Sequence, residues 1–113
     1  MAKHKLRQFA EIENFENVFH HIQHAENIPE FKLKGKWNST YFNNSNPLVL
    51  ELGCGKGEYS LGLANNHPQK NFIGIDLKGN RIWRGAKTAL ETNLKNVAFL
   101  RTRIENIEFS FAP

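Results

Sequence analysis

Leu48-Val49-Leu50-Glu51-Leu52-Gly53-Cys54-Gly55-Lys56-Gly57 is the stretch around which the rest of the chain can be laid out. An apolar run of strand type ends in an acid and enters three glycines at alternate positions. Glycine belongs where the backbone takes a conformation, or is approached so closely, that a Cβ is ruled out. Glu58-Tyr59-Ser60-Leu61-Gly62-Leu63-Ala64 then begins a helix whose free N–H groups point back at whatever lies on the turn. Strand, glycine turn and helix in that order predict a nucleotide-like cofactor site at the carboxyl end of a first parallel strand.

The same alternation continues downstream. Asn65-Asn66-His67-Pro68 stops the helix, and Asn71-Phe72-Ile73-Gly74-Ile75-Asp76 reads as a second strand ending in an acid. A helix is expected from about 79 to 93, with Ile82, Trp83, Ala86, Ala89 and Leu90 on one face. Lys78, Arg81, Arg84 and Lys87 lie around the rest, either as a solvated ridge or as an RNA-contacting surface. Val97-Ala98-Phe99-Leu100-Arg101 is a third strand, and 104–109 starts another helix. Three parallel strands with flanking helices form the N-terminal half of a doubly wound, Rossmann-like α/β sheet.

Upstream of the first strand the signals differ. Residues 1–7 are basic and read as a solvated arm. Phe9, Ile12, Phe15, Val18, Phe19 and Ile22 predict an amphipathic helix over 8–24, packed on the body of the domain. His20 and His24 have the i, i+4 spacing of a metal pair, but no third ligand with fitting context accompanies them, so no metal site is assigned. Phe31 and Leu33 alternate with Lys32, Lys34 and Lys36, as a short edge strand guarded by charge would. Trp37, Tyr41 and Phe42 lie among asparagines, either as a flap covering the sheet or, with the lysines, as an RNA-stacking surface. The chain divides into an arm, helix and flap at 1–46 and a partial cofactor-binding domain at 47–113.

Composition narrows the class. A chain of 113 residues with 40% hydrophobic residues and nine phenylalanines supports one small core and no second domain. A net charge of +4 suits a polyanionic partner without requiring one. A single cysteine excludes an intrachain disulfide and fits a reducing compartment. No apolar run approaches ~20 residues, so no membrane span is expected, and the cytoplasm is the default location.

The acids around the turn choose between cofactors. A nicotinamide or flavin site shows G-x-G-x-x-G, and here Glu58 occupies the place of the third glycine. Glu51, two residues before the first glycine, would repel a pyrophosphate where water is excluded. Both acids suit a cofactor with a cationic portion and no phosphate, and S-adenosylmethionine is one. Asp76 is placed to accept hydrogen bonds from both ribose hydroxyls. No nucleophile–base pair is visible, and Cys54 reads as a small residue that fits the turn rather than a reactive thiol.

Three segments then resemble one family. They are Glu51-Leu52-Gly53-Cys54-Gly55-Lys56-Gly57-Glu58-Tyr59-Ser60, Gly74-Ile75-Asp76-Leu77-Lys78-Gly79 and Arg81-Ile82-Trp83-Arg84-Gly85-Ala86. Together they look like the bacterial tRNA (guanine-N(7)-)-methyltransferases, a class I S-adenosylmethionine-dependent family, with the resemblance running from about 37 to 111. It implies that Glu51, Gly53, Cys54 and Gly55 hold the methionine part of the cofactor. Asp76 would take the ribose, Leu77 the adenine face, and Arg103 and Ile104 the adenine edge. Many members carry Asp or Asn where this sequence has Arg103, so backbone groups would meet the adenine amino group. The implied reaction forms 7-methylguanine in tRNA, with Lys34, Lys36, Lys78, Arg81 and Arg84 as tRNA-contact candidates and no catalytic residue in this stretch.

The family's guanine-recognising segments follow a fourth strand, and none of that pattern occurs by Pro113. The resemblance therefore implies an N-terminal part, inactive alone, with the 48–52 strand left as an apolar edge open to self-association. Other readings of the same turn are a class I methyltransferase acting on another RNA, a protein or a small molecule. A non-catalytic cofactor-binding module and a nicotinamide-binding fragment also stand, the last opposed by Glu51 and Glu58.

Overall fold

The computed structural model describes residues 2–22 and 30–112, with side chains from residue 6 onward. Its elements are α1 (Ala2–Ile12), β1 (Val18–His21), β2 (Leu48–Leu52), α2 (Glu58–Asn66), β3 (Asn71–Asp76), α3 (Gly79–Glu91) and β4 (Val97–Thr102). A π-helical turn at Trp37–Phe42 and a 3-10 turn at Ile104–Phe109 complete the described chain. All strand pairings are parallel, in the order β1-β4-β3-β2.

Among the described residues four strands stand where the sequence predicts three. The helix expected over 8–24 is instead α1, ending at Ile12, followed by two tight turns and β1. The apolar residues at helical spacing part company: Val18 packs with the helices and Phe19 on the opposite side of the sheet. Two-sided burial and pairing with β4 favour a strand, and a short apolar run cannot be told from a helix by period alone. The arm at 2–7 is part of α1, not a loose start. His20 is in β1 and not in a helix, and His24 lies outside the described residues.

Alternation along β3 and β4 sorts the core into two layers. Phe72, Val97 and Phe99 face α1, α2 and α3, meeting Ile12, Ala64, Ile82, Trp83, Ala86 and Ala89. Ile73, Ile75, Ala98 and Leu100 face the other way, toward Phe31, Leu33 and Trp37. Helices thus cover one side, and the aromatic flap with the 3-10 turn covers the other. Trp37 is 2% exposed, stacks on Phe111 at 5.4 Å and donates its indole N–H to the Ser110 carbonyl at 2.8 Å. The flap reading is the one realised for Trp37, and its ring is closed to a nucleobase. Phe31 and Leu33 are buried as their alternation foretold, yet in turns and not in an edge strand: Lys34 and Lys36 N–H groups bond back to the Phe31 and Leu33 carbonyls, and Gly35 has φ 73°.

Candidate functional site

β2 and β3 end side by side, with Glu51 paired to Gly74 and Leu52 to Ile75. The chain leaves β2 into the glycine turn, which the Cys54 N–H anchors to the Ile75 carbonyl at 2.9 Å. Gly53, Gly55 and Gly57 all have positive φ, at 70°, 57° and 75°. Their surroundings divide them. A Cβ on Gly55 would meet no atom within 4 Å, so bare backbone there faces open space. A Cβ on Gly57 would stand 2.7 Å from the Phe99 ring, so this glycine serves the seating of α2 against the core. The helix predicted after the turn begins at Glu58, with Gly57 preceding it.

Three acids or acid partners meet at the turn. The Asp76 carboxylate accepts the Gly55 N–H on one oxygen at 2.9 Å and the Lys78 N–H on the other at 3.0 Å. Each oxygen keeps a second acceptor direction. Glu51 accepts the hydroxyl of buried Ser60 at 2.5 Å, which fixes the half-buried carboxylate from the first turn of α2. Between them lies Cys54. Burial first, then the negative charges of Asp76 and Glu51, push its thiol up to about 12. That thiol is neutral at physiological pH and is not a nucleophile.

Among the described residues no Lys or Arg pairs with Glu51 or Asp76; the ion pairs are Arg7–Glu11 and Lys34–Glu30. Two unneutralised carboxylates beside an open glycine turn attract a cationic ligand and repel a phosphate. The cradle fits the phosphate-free cofactor expected from the sequence. An open hollow of about 410 Å³ lies against it, lined by Cys54, Lys56, Glu58 and Tyr59.

The remaining candidates fall as follows. Leu77 follows Asp76 at the surface, 37% exposed. Ile104 is 41% exposed, and its Cδ1 lies 4.0 Å from where a Gly53 Cβ would be. It therefore belongs to the turn's surroundings, with half-buried Arg103 just before it at the start of the 3-10 turn. Lys78, Arg81 and Arg84 are exposed along α3, with Arg84 over the Trp83 ring at 5.6 Å. Lys34 is bound to Glu30 at 3.0 Å and Lys36 is exposed nearby. These two lie on the flap side of the sheet, away from α3, so the five cations do not form one patch.

Sequence reasoning missed Ser60, Arg101 and Gly85. Ser60 carries no signal of its own beyond its place one turn into α2. Gly85 does, being a glycine inside a helix: a Cβ there would stand 2.7 Å from the Lys56 carbonyl oxygen. Arg101 looks like any strand cation until its contacts are seen.

The family model described as "Putative methyltransferase" matches residues 45–113. A tRNA (guanine-N(7)-)-methyltransferase of Christiangramia forsetii is 60% identical over 111 residues, covering 98% of this chain and 50% of that protein. One of Bacteroides thetaiotaomicron is 51% identical over 113 residues, covering 99% of this chain and 44% of that protein. The chain spans about half the length of the curated relatives it matches. Among solved structures, PKMT2 from Rickettsia typhi in complex with AdoHcy is 33% identical over 51% of this chain and 11% of that one, with a TM-score of 0.45.

Proposed function

Because this chain belongs to that methyltransferase family, we propose that it supplies the cofactor-binding half of an S-adenosylmethionine-dependent tRNA (guanine-N(7)-)-methyltransferase. One observation carries the cofactor reading: the Asp76 carboxylate, pinned by the Gly55 and Lys78 N–H groups, retains free acceptor directions beside the bare Gly55 backbone. The acceptor reading rests on the likeness to the two relatives above.

When bound, S-adenosylmethionine supplies an electrophilic methyl group on a sulfonium. Glu51, oriented by Ser60, would hold the cationic methionine part together with the turn at Gly53, Cys54 and Gly55. Asp76 would accept from the ribose hydroxyls, Leu77 would offer apolar surface to the adenine, and Arg103 and Ile104 would line its edge. The guanine ring nitrogen that is methylated has a free lone pair. No general base has to act, and holding the nucleophile in line while excluding water provides the acceleration. Neutral Cys54 takes no part in proton or group transfer.

In this reading residues 47–113 carry the cofactor, while α1, β1 and the aromatic flap of 1–46 pack on them. Lys78, Arg81 and Arg84 are the contacts for tRNA, in the cytoplasm, on the helical side; Lys34 and Lys36 can serve only on the opposite layer. β2 is an edge strand of the described sheet, with Leu52 51% exposed, and offers a place for self-association. Among the described residues no helix is long and apolar enough to cross a membrane.

Calorimetric titration with S-adenosylhomocysteine and with NAD tests the cofactor. Heat with the first and none with the second is expected, and heat only with NAD would overturn the assignment. Methylation of unmodified tRNA by a protein that joins this chain to the remaining half of such a methyltransferase, with methyl-labelled cofactor, tests the acceptor: label in 7-methylguanine is expected, and label in protein or in another nucleoside refutes it.

A further inference from the structure

We propose that Arg101, held in place by Phe9 of α1, is a positioning residue that sets the Asp76 carboxylate for the cofactor's ribose through a single peptide group. The inference rests on the cofactor reading above and concerns how that end of the site is built.

Arg101 lies on β4 directly across from Asp76 at the end of β3. Its Nε–H donates to the Leu77 carbonyl oxygen at 3.1 Å. That carbonyl and the Lys78 N–H belong to the same peptide plane, and the Lys78 N–H donates to the Asp76 carboxylate at 3.0 Å. The arginine cation thus pulls on one end of a peptide whose other end holds the carboxylate. Fixing the carbonyl fixes the plane, and the positive charge polarises the amide, so its N–H is a stronger and better aimed donor. The other carboxylate oxygen is tied to Gly55. Asp76 is therefore clamped between the glycine turn and the Arg101-loaded peptide.

Phe9 holds the arginine from behind. Its ring lies 5.4 Å from the Arg101 guanidinium carbon, within range of a cation–π contact. The same ring presses on Gly79, where a Cβ would stand 2.7 Å from Phe9 Cε1 and 2.8 Å from Ile12 Cδ1. Residues 76–79 are consequently gripped at three points: the Asp76 carboxylate, the Leu77 carbonyl and the Gly79 Cα. Two of these grips reach back to α1. The N-terminal helix is by this route a brace of the cofactor's nucleoside end and more than a cover for the core.

Three readouts test the proposal on the full chain. In the absence of cofactor, amide exchange at Lys78 should quicken in Arg101→Ala and in Phe9→Ala, without the same change at core amides of β3. Affinity for S-adenosylhomocysteine should fall about tenfold in Arg101→Ala and about threefold in Phe9→Ala, with the double variant losing less than the product because the two act as one unit. Arg101→Lys, which keeps the charge and folds if the alanine variant does not, should recover part of the loss. With 2′-deoxy-S-adenosylhomocysteine, which gives Asp76 one hydroxyl fewer, wild type and Arg101→Ala should differ less. An Arg101→Ala chain that binds S-adenosylhomocysteine as wild type does, or loses equally toward both ligands, overturns the proposal. A wild-type chain that binds neither ligand removes the cofactor reading and this inference with it.

Discussion

The Asp76 carboxylate accepts the Gly55 backbone N–H at 2.9 Å, joining the end of β3 to the turn that leaves β2. Two neighbouring strands thereby share one bond at the point where a ligand would rest. In Asp76→Asn the amide can keep only one of the two backbone donors satisfied, because its nitrogen faces an N–H in place of an acceptor. Leaving such a donor unpaired costs roughly 1–3 kcal/mol. Faster amide exchange at Gly55 or Lys78 is expected, together with loss of S-adenosylhomocysteine binding by at least about tenfold. Retention of both properties in the variant would show that the carboxylate does not organise the turn.

Glycines of the same helical class should respond in opposite directions. Gly85→Ala drives a Cβ to 2.7 Å from the Lys56 carbonyl oxygen and 2.9 Å from the Phe99 ring. Overpacking of this kind costs roughly 1–3 kcal/mol. Gly62 is exposed within α2, and its added Cβ meets nothing within 4 Å. Gly62→Ala should stabilise by about 0.5–1 kcal/mol. Urea midpoints of the two variants against wild type decide the matter, and equal shifts would contradict it.

Alkaline pH should weaken the fold before any acid or base of the surface accounts for it. Burial, with the charges of Asp76 and Glu51, raises Cys54 from 9.0 to about 12. Burial, then the charge of Glu16, raises Tyr41 from 10.0 to about 12. In both cases the folded chain keeps a proton that the unfolded chain has lost. Their contribution is whole below about pH 9 and declines as the pH rises toward 12. Wild type should lose urea resistance across that window, and Cys54→Ala should lose less of it. Iodoacetamide at pH 8 should leave native Cys54 unmodified and react only after denaturant is added; rapid labelling of the native chain would sink this account.

Asn96, just ahead of β4, ties three chain segments with one amide. Its Nδ2 faces the carbonyl oxygens of Ala64 at 2.9 Å, His67 at 3.1 Å and Lys70 at 2.9 Å. Asn96→Ala should cost roughly 2–3 kcal/mol by stranding those acceptors. Asn96→Asp should cost more at pH 7, since a carboxylate would stand against three carbonyls, and should recover on acidification as that carboxylate is protonated. A milder effect for Asp than for Ala in thermal melts at pH 7 would mean the amide donates to none of the three.

From Leu48 onward the fold was readable, because its signals are local. Glycines at 53, 55 and 57 mark a turn, His67-Pro68 a stop, and Ile82, Trp83, Ala86 and Ala89 a buried helical face, and each acts within a few residues of itself. Before Leu48 the deciding partner is distant. Val18 and Phe19 belong to opposite sides of a sheet only because Phe99 and Leu100 are there to pair with them. Nothing near Val18 announces that. The site divides in the same way. Glu51 and Asp76 show through their position at strand ends, whereas Ser60 and Arg101 matter through contacts made across elements. The letter G hides a further distinction: Gly55 faces space and Gly57 faces Phe99, which no spacing rule separates.

Among the described residues β1 is an edge strand and the earliest of the four, while the strand it pairs with, β4, is the latest. On a ribosome, Val18–His21 emerges long before Val97–Thr102 exists. Closing so long a loop comes late in folding, after the locally connected β2–α2–β3–α3–β4 units have formed. Throughout synthesis Val18 and Phe19 therefore travel as an uncovered apolar pair beside a bare backbone. Of the described strands, β1 is the first to be synthesised and the last that the sheet takes in.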